Sequence, residues 1–222
     1  MEPLPCKRDK RKVKITAMNT EQKIAQALIK IGAISFPKEL VTFKSGIKSP
    51  VYIDNRKFPF YPKEWVDVIE SFADKIKKEN IKFDVIAGVE AAGIPHSSAL
   101  GFFLKKPSVF VRKQIKDHGM KKMVEGGDVV GKKVLLIEDV VSAGHSSLAA
   151  VDALRNEGAI VEDCLVILTY GFSEAKEGFK TAKINLHTLT SFPIILEEVK
   201  KQNLLMGVEL KTVEDWVNKK TS

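Results

Sequence analysis

The chain has 222 residues, 44% of them hydrophobic and 29% charged; that balance excludes a wholly disordered or fibrous protein and suits one domain with a sizeable core. No apolar run is long enough to span a membrane, and the polar, basic opening has no signal-peptide pattern. Two cysteines, Cys6 and Cys164, exclude a disulfide framework and make the cytoplasm the expected location.

The net charge of +8 raises the question of a nucleic-acid partner, so its distribution matters. Residues 1–18 hold Lys7, Arg8, Lys10, Arg11, Lys12 and Lys14 against Glu2 and Asp9, which is half of the excess. With little apolar content, this segment reads as a basic, disordered extension, and Met18 offers an alternative start. Asn19 or Thr20 can cap a helix over Gln22–Ile31, whose Ile24, Ala27, Leu28 and Ile31 share one face, and Gly32 ends it. The stretch Val41–Arg56 reads as two strands joined around Ser45–Pro50. Pro62 opens a second helix over Lys63–Lys78 with a buried stripe of Trp65, Val68, Ile69 and Phe72.

Phe83–Val89 is the next strand. Glu90–Pro95 forms a small-residue turn, and a helix starts at Ser97. A strand, a tight turn and a helix N-terminus make an anion cradle, although many ordinary βα connections look the same. Ser108–Val111 is a further strand. It lies within a second basic patch, residues 105–122, where Lys105, Lys106, Arg112, Lys113, Lys116, Lys121 and Lys122 face only Asp117. A substrate carrying a pyrophosphate accounts for that patch as well as a nucleic acid does.

After a turn at Asp128–Lys133 comes Val134–Ser146, the stretch around which the chain is organised. Its Val-Leu-Leu-Ile run is a buried strand. Glu138 and Asp139 end it, a small-residue turn follows, and a helix pattern runs from Ser147 to Gly158. The turn is a second anion site. It lacks the Gly-Lys-Ser/Thr ending of a nucleoside-triphosphate loop, and the two acids suit vicinal hydroxyls. Hydroxyls beside a phosphate describe a sugar phosphate. The remaining elements are a buried strand Asp163–Thr169, Tyr170-Gly171-Phe172, a helix near Glu174–Phe179, a strand Ile184–Leu189, a helix Pro193–Gln202 and a small helix Lys211–Val217 packed by Trp216. His96 and His187 read as structural.

Alternating strands and helices predict an α/β, three-layer fold with a mainly parallel sheet. Ligands in such folds bind beyond the carboxyl ends of the strands, where both candidate cradles lie.

Val134–Ser146 resembles the binding motif for 5-phosphoribosyl-1-pyrophosphate (PRPP) in the type I phosphoribosyltransferases. Val111–Gly119 resembles the mobile catalytic loop of the orotate members of that family. The resemblance covers roughly residues 19–205. It implies a phosphoribosyltransferase domain over 19–222, with a small hood formed by about 19–60 and the C-terminal segment. It also implies transfer of phosphoribose from PRPP to orotate, giving orotidine 5′-monophosphate and pyrophosphate in pyrimidine biosynthesis.

On that resemblance, the catalytic residues are Lys116, Asp139 and Glu138. The substrate-binding residues are Lys44, Arg112, Lys113 and His118, with Val140, Val141, Ser142, Ala143, Gly144, His145 and Ser146 forming the phosphate turn. Mg2+ is the implied cofactor, held mainly by substrate and water rather than by a protein cage. A homodimer with shared active sites is implied, because the loop reaches the neighbouring subunit in that family. No membrane and no nucleic-acid partner is expected. Three positions depart from the family pattern. Ala91-Ala92 replaces a Tyr-Lys pair, His145 occupies the phosphate turn, and Tyr170-Gly171-Phe172 stands where some members carry an arginine for the orotate carboxylate. The alternatives are a phosphoribosyltransferase for another base, and a PRPP-sensing regulator that binds nucleic acid, though no helix-turn-helix signal is present.

Overall fold

The structure, a computed structural model, describes residues 19–43, 45–113 and 122–221. The expected extension 1–18 lies outside them. At the centre is a six-stranded sheet. Strands β5 (Val85–Val89), β6 (Ser108–Val111), β8 (Lys133–Val141), β9 (Ile160–Thr169) and β10 (Asn185–Ser191) run parallel, in the order β10-β9-β8-β5-β6. The short β7 (Val124–Glu125) adds antiparallel to β6 at the edge.

The apolar runs of β5, β8 and β9 are continuous because both faces of the sheet are covered. Alternate side chains divide between two clusters. Ile86, Leu135, Ile137, Leu165 and Ile167 face one layer. There they meet helices α1 (Thr20–Lys30), α2 (Pro62–Lys78), α3 (Gly93–Leu104) and α6 (Phe192–Lys201). Val85, Ala87, Leu136, Cys164 and Val166 face α4 (His145–Asn156) and α5 (Ser173–Thr181). Each such side chain, once buried, contributes about 1.5–3 kcal/mol. This is the expected α/β, three-layer architecture. Among the described residues, no helix is long and apolar enough to cross a membrane.

Over the carboxyl ends of the strands sits a small cap. It consists of β1 (Ile34–Ser35) paired antiparallel with β4 (Tyr52–Ile53), and β2 (Val41–Thr42) paired antiparallel with β3 (Lys48–Ser49). The single hairpin expected over Val41–Arg56 is thus two separate pairs. The chain changes direction at Ser49–Val51, because Pro50 has no N–H for a ladder. The Ser49 hydroxyl instead donates to the Val51 carbonyl at 2.7 Å and accepts from the Val51 N–H at 3.2 Å. Residues 55–60, partly read as strand, form a 3₁₀ helix. Asp54 caps it by accepting the Arg56 N–H at 3.2 Å. Helix α7 (Gly207–Thr221) is longer than expected and clamps the cap, with Trp216 Nε1 donating to the Lys48 carbonyl at 2.8 Å.

Two boundaries near the central motif also move. Strand β8 runs through both acids to Val141, because Glu138, Val140 and Val141 keep their register with Val166, Leu168 and Thr169 of β9. Helix α4 begins at His145 rather than Ser147, because Gly144, at φ +86°, turns the chain directly into it.

Candidate active site

Glu138 and Asp139 come off the end of β8 side by side. Their burial differs, because successive strand residues face opposite ways. Glu138 is 4% exposed. Its Oε2 accepts from the hydroxyls of Ser146 at 3.1 Å and Ser147 at 3.5 Å, and its Oε1 accepts the Asp139 N–H at 3.2 Å. Burial, and then the neighbouring Asp139 charge, push the Glu138 carboxyl well above the usual glutamate range. Burial also raises Asp139, against the hydrogen bond it receives from Glu138. The pair therefore resists carrying two charges until a cationic group arrives. Asp139 is half-buried and lines the main cavity.

The backbone of this corner is held from the cap. Fully buried Asn55 donates from Nδ2 to the Asp139 carbonyl at 2.9 Å. On the far side, β5 must come very close to α3 and β8. A Cβ on Gly88 would lie 2.8 Å from the Gly93 carbonyl oxygen, and one on Gly93 would lie 2.6 Å from the Ile137 carbonyl oxygen. Those two glycines bring Glu90-Ala91-Ala92 opposite the acids. Glu90 then accepts the Lys113 N–H at 2.9 Å and fixes the start of the basic segment.

Two adjoining cavities result. The larger, of about 630 Å³, is lined by Glu138, Asp139, Ser142 and Ser146 on the sheet side and by Phe43, Tyr52, Asp54 and Arg56 on the cap side, with Tyr170 between. The smaller, of about 390 Å³, lies over the turn from Ser142 to Ser146 and is bordered by Arg112 and Lys113. Val140 and Ser142 line both and Ala143 lines the smaller, while Val141 is buried beneath. Gly144 could hold no side chain without strain, since its φ is left-handed and a Cβ would sit 3.1 Å from Phe179 Cε2. The turn thus offers the unpaired N–H groups of α4 to the smaller cavity, an arrangement that binds phosphate.

The other sequence-derived candidates divide three ways. Lys113 lines both cavities. Arg112 lines the smaller one while its Nη1 pairs with Glu125 at 3.1 Å. His145 borders that cavity, but its ring is engaged by Glu174 of α5 at 2.8 Å. Lys44, Lys116 and His118 lie outside the described residues. His96 is a core residue, as expected. Its Nδ1 accepts from Trp65 Nε1 at 3.0 Å, and burial pulls it down to about 4, so it is neutral. Sequence reasoning missed Asn55, Arg56 and Glu90. Tyr170 was noted only for what it replaces, yet it is a buried wall packed against Phe43, Phe172 and Phe192 at a tilt and against Trp216 edge-on.

A parallel sheet with paired acids beside a phosphate turn, at the carboxyl ends of its strands, defines a phosphoribosyl transferase domain. The sequence profile of that domain family matches residues 62–186. An orotate phosphoribosyltransferase of Listeria monocytogenes is 38% identical over 200 residues, covering 90% of this chain and 96% of that protein. The crystal structure of orotate phosphoribosyltransferase from Aeropyrum pernix superposes with a TM-score of 0.71 at 27% identity, over 80% of this chain and 98% of that one. The structure of Leishmania donovani UMP synthase gives a TM-score of 0.79 at 26% identity over 90% of this chain, which spans only 42% of that longer protein. The chain belongs to the orotate phosphoribosyltransferase family.

Proposed function

We propose that this chain transfers the 5-phosphoribosyl group of PRPP to orotate, giving orotidine 5′-monophosphate and pyrophosphate in pyrimidine nucleotide synthesis. The observation that carries the reading is the junction of the strand-end acids and the phosphate turn in adjoining cavities, within a chain of this family. The bond from the anomeric carbon to the pyrophosphate oxygen breaks, its electron pair leaves with pyrophosphate, and a ring nitrogen of orotate forms the new bond as its N–H proton is released to solvent or to the leaving pyrophosphate. The anomeric carbon becomes cationic on the way, and positioning with charge stabilisation supplies most of the rate.

In this mechanism Asp139 and Glu138 bind the ribose hydroxyls and favour the developing cation. Burial, which raises the proton affinity of both acids, also leaves them less solvation to lose when they meet that cation. The Val140–Ser146 turn binds the 5′-phosphate. Lys113 and Arg112 border the pyrophosphate, and Lys116 and His118 of the following segment cover it. Lys44 contacts the substrates from the cap.

The acids also fit Mg2+. Among the described residues there is no cluster of three or more metal-ligating side chains, but Asp139 and Glu138 are hard oxygen donors, and substrate oxygens and water would complete the shell. When bound, Mg2+ neutralises charge on the leaving pyrophosphate.

The working unit is a cytoplasmic homodimer of residues 19–222, with sites shared between subunits. Large exposed side chains on α3 and the 3₁₀ helix, Phe102 at 90% and Phe60 at 82%, are suited to such an interface. The decisive assay follows orotate absorbance with PRPP and Mg2+. Orotate should be consumed only when both are present; unchanged orotate with turnover of a purine instead would overturn the assignment.

A further inference from the structure

Where some members of the family are expected to carry an arginine for the orotate carboxylate, this chain has Tyr170, which is buried and packed among four aromatic rings. Tyr170 offers a neutral hydroxyl but no positive charge at that point. Among the described residues lining the larger cavity, the cationic side chains are Lys113 and Arg56. Lys113 also lines the cavity over the phosphate turn. Arg56 lines the larger cavity alone, on the cap side, with Tyr52 and Asp54.

We infer that Arg56 is the specificity residue for the acceptor base, binding its carboxylate from the cap side of the cavity. The inference rests on the orotate reading given above. Three features of the site carry it. The guanidinium is held at two points, Nε to Asp54 Oδ1 at 2.6 Å and Nη2 to the Tyr52 hydroxyl at 2.8 Å. Its Nη1 makes no hydrogen bond among the described residues, and the side chain is 59% exposed. The group is thus oriented in advance and retains donors for a planar anion, the geometry at which arginine excels.

The second feature is the backbone. Asp54 caps the 3₁₀ helix through the Arg56 N–H and also grips the Arg56 side chain, so one carboxylate sets both. The third is registration with the reacting centre. Asn55, the adjacent residue, donates to the Asp139 carbonyl at 2.9 Å. The distance from the base anchor to the ribose acids is therefore fixed through one short segment. The Asp54 charge offsets that of Arg56 without an acceptor, and Asp139 adds a weaker attraction. A bound carboxylate gives the arginine a second anionic partner while Asp54 keeps it in place.

The test compares orotidine 5′-monophosphate, which carries the carboxylate, with uridine 5′-monophosphate, which lacks it. Calorimetry on the full chain gives both affinities, and orotate turnover is measured in parallel. Wild type should prefer the carboxylated nucleotide by about 10- to 100-fold, the range for a hydrogen bond between charged groups. Arg56→Gln should bring the ratio near one by weakening only the carboxylated nucleotide, with KM for PRPP unchanged. Arg56→Lys keeps a charge without the fork and should fall between; it also serves if the glutamine variant melts early. A ratio unchanged in both variants would overturn the role of Arg56. So would wild type lacking the preference while turning over orotate. Wild type that does not use orotate at all would instead sink the orotate reading, and the inference with it.

Discussion

Gly144 provides the sharpest test of the phosphate turn. Substituting alanine has two costs that can be read from the structure. The left-handed φ of +86° strains any L residue by about 1–2 kcal/mol. The added Cβ would also stand 3.1 Å from Cε2 of Phe179, a buried ring, and moving that ring adds about 1 kcal/mol, the low end for overpacking. Together these destabilise by about 2–3 kcal/mol, a fall in Tm of about 4–12 °C for a chain of this size. The same distortion should be felt at the α4 N-terminus, where the Gly144 carbonyl accepts the Leu148 N–H at 2.9 Å. Thermal melting by circular dichroism and the KM for PRPP measure the two effects. Gly144→Ala melting within about 1 °C of wild type, where this sum predicts several degrees, would refute the strain argument. A lower Tm with an unchanged KM would show that the turn does not hold the phosphate.

Other substitutions reach different parts of the site. Asp139→Asn should leave Tm at neutral pH unchanged or higher, since burial already disfavours the charge there, while orotate turnover falls on the order of a hundredfold; normal turnover would return Asp139 to a structural role. Because Glu138 has its folded pKa raised above the ordinary 4.5, its contribution to stability is present below that value and lost as pH rises through the raised one. The Tm of wild type relative to Glu138→Gln should therefore increase as pH is lowered from neutral towards 5, and a flat difference would contradict the raised proton affinity. Trp216→Ala should cost about 3 kcal/mol and loosen the cap, read as a lower Tm and a raised KM for orotate. Finally, Lys116→Ala and Asp139→Asn subunits, each inactive alone, should regain orotate turnover on mixing; no recovery despite demonstrated subunit exchange would place Lys116 in its own subunit's site.

The parts of the site legible in the sequence are those made by consecutive residues. Val134–Ser146 encodes a strand, two acids and a turn in one run, and each element's chemistry follows from its neighbours. Asn19 was equally readable, and its side chain does accept the Gln22 N–H at 2.8 Å. Asn55 and Arg56 are different. Their local pattern resembles the end of a strand, and their importance comes from Asp139, more than eighty residues away. The pairing of Tyr52–Ile53 with Ile34–Ser35 rather than Val41–Thr42 was likewise hidden, because strands of two residues have no periodicity to read.

The fastening of the cap also has a consequence for synthesis of the protein. Helix α1 docks on α6, where Gln26 bonds Glu198 at 2.9 Å, and the cap is clamped by Trp216. A nascent chain therefore presents its earliest elements to solvent long before their partners leave the ribosome. The acids and the phosphate turn can be complete while the roof over the base is still unsecured. Translation that stops shortly after residue 191 would yield a polypeptide with the sugar-phosphate turn intact but neither docking helix. Such a fragment should expose Ile24, Leu28 and Phe43 to solvent and draw chaperones or proteases. Orotate turnover would thus report a chain made through to α7, rather than one that merely contains the motif.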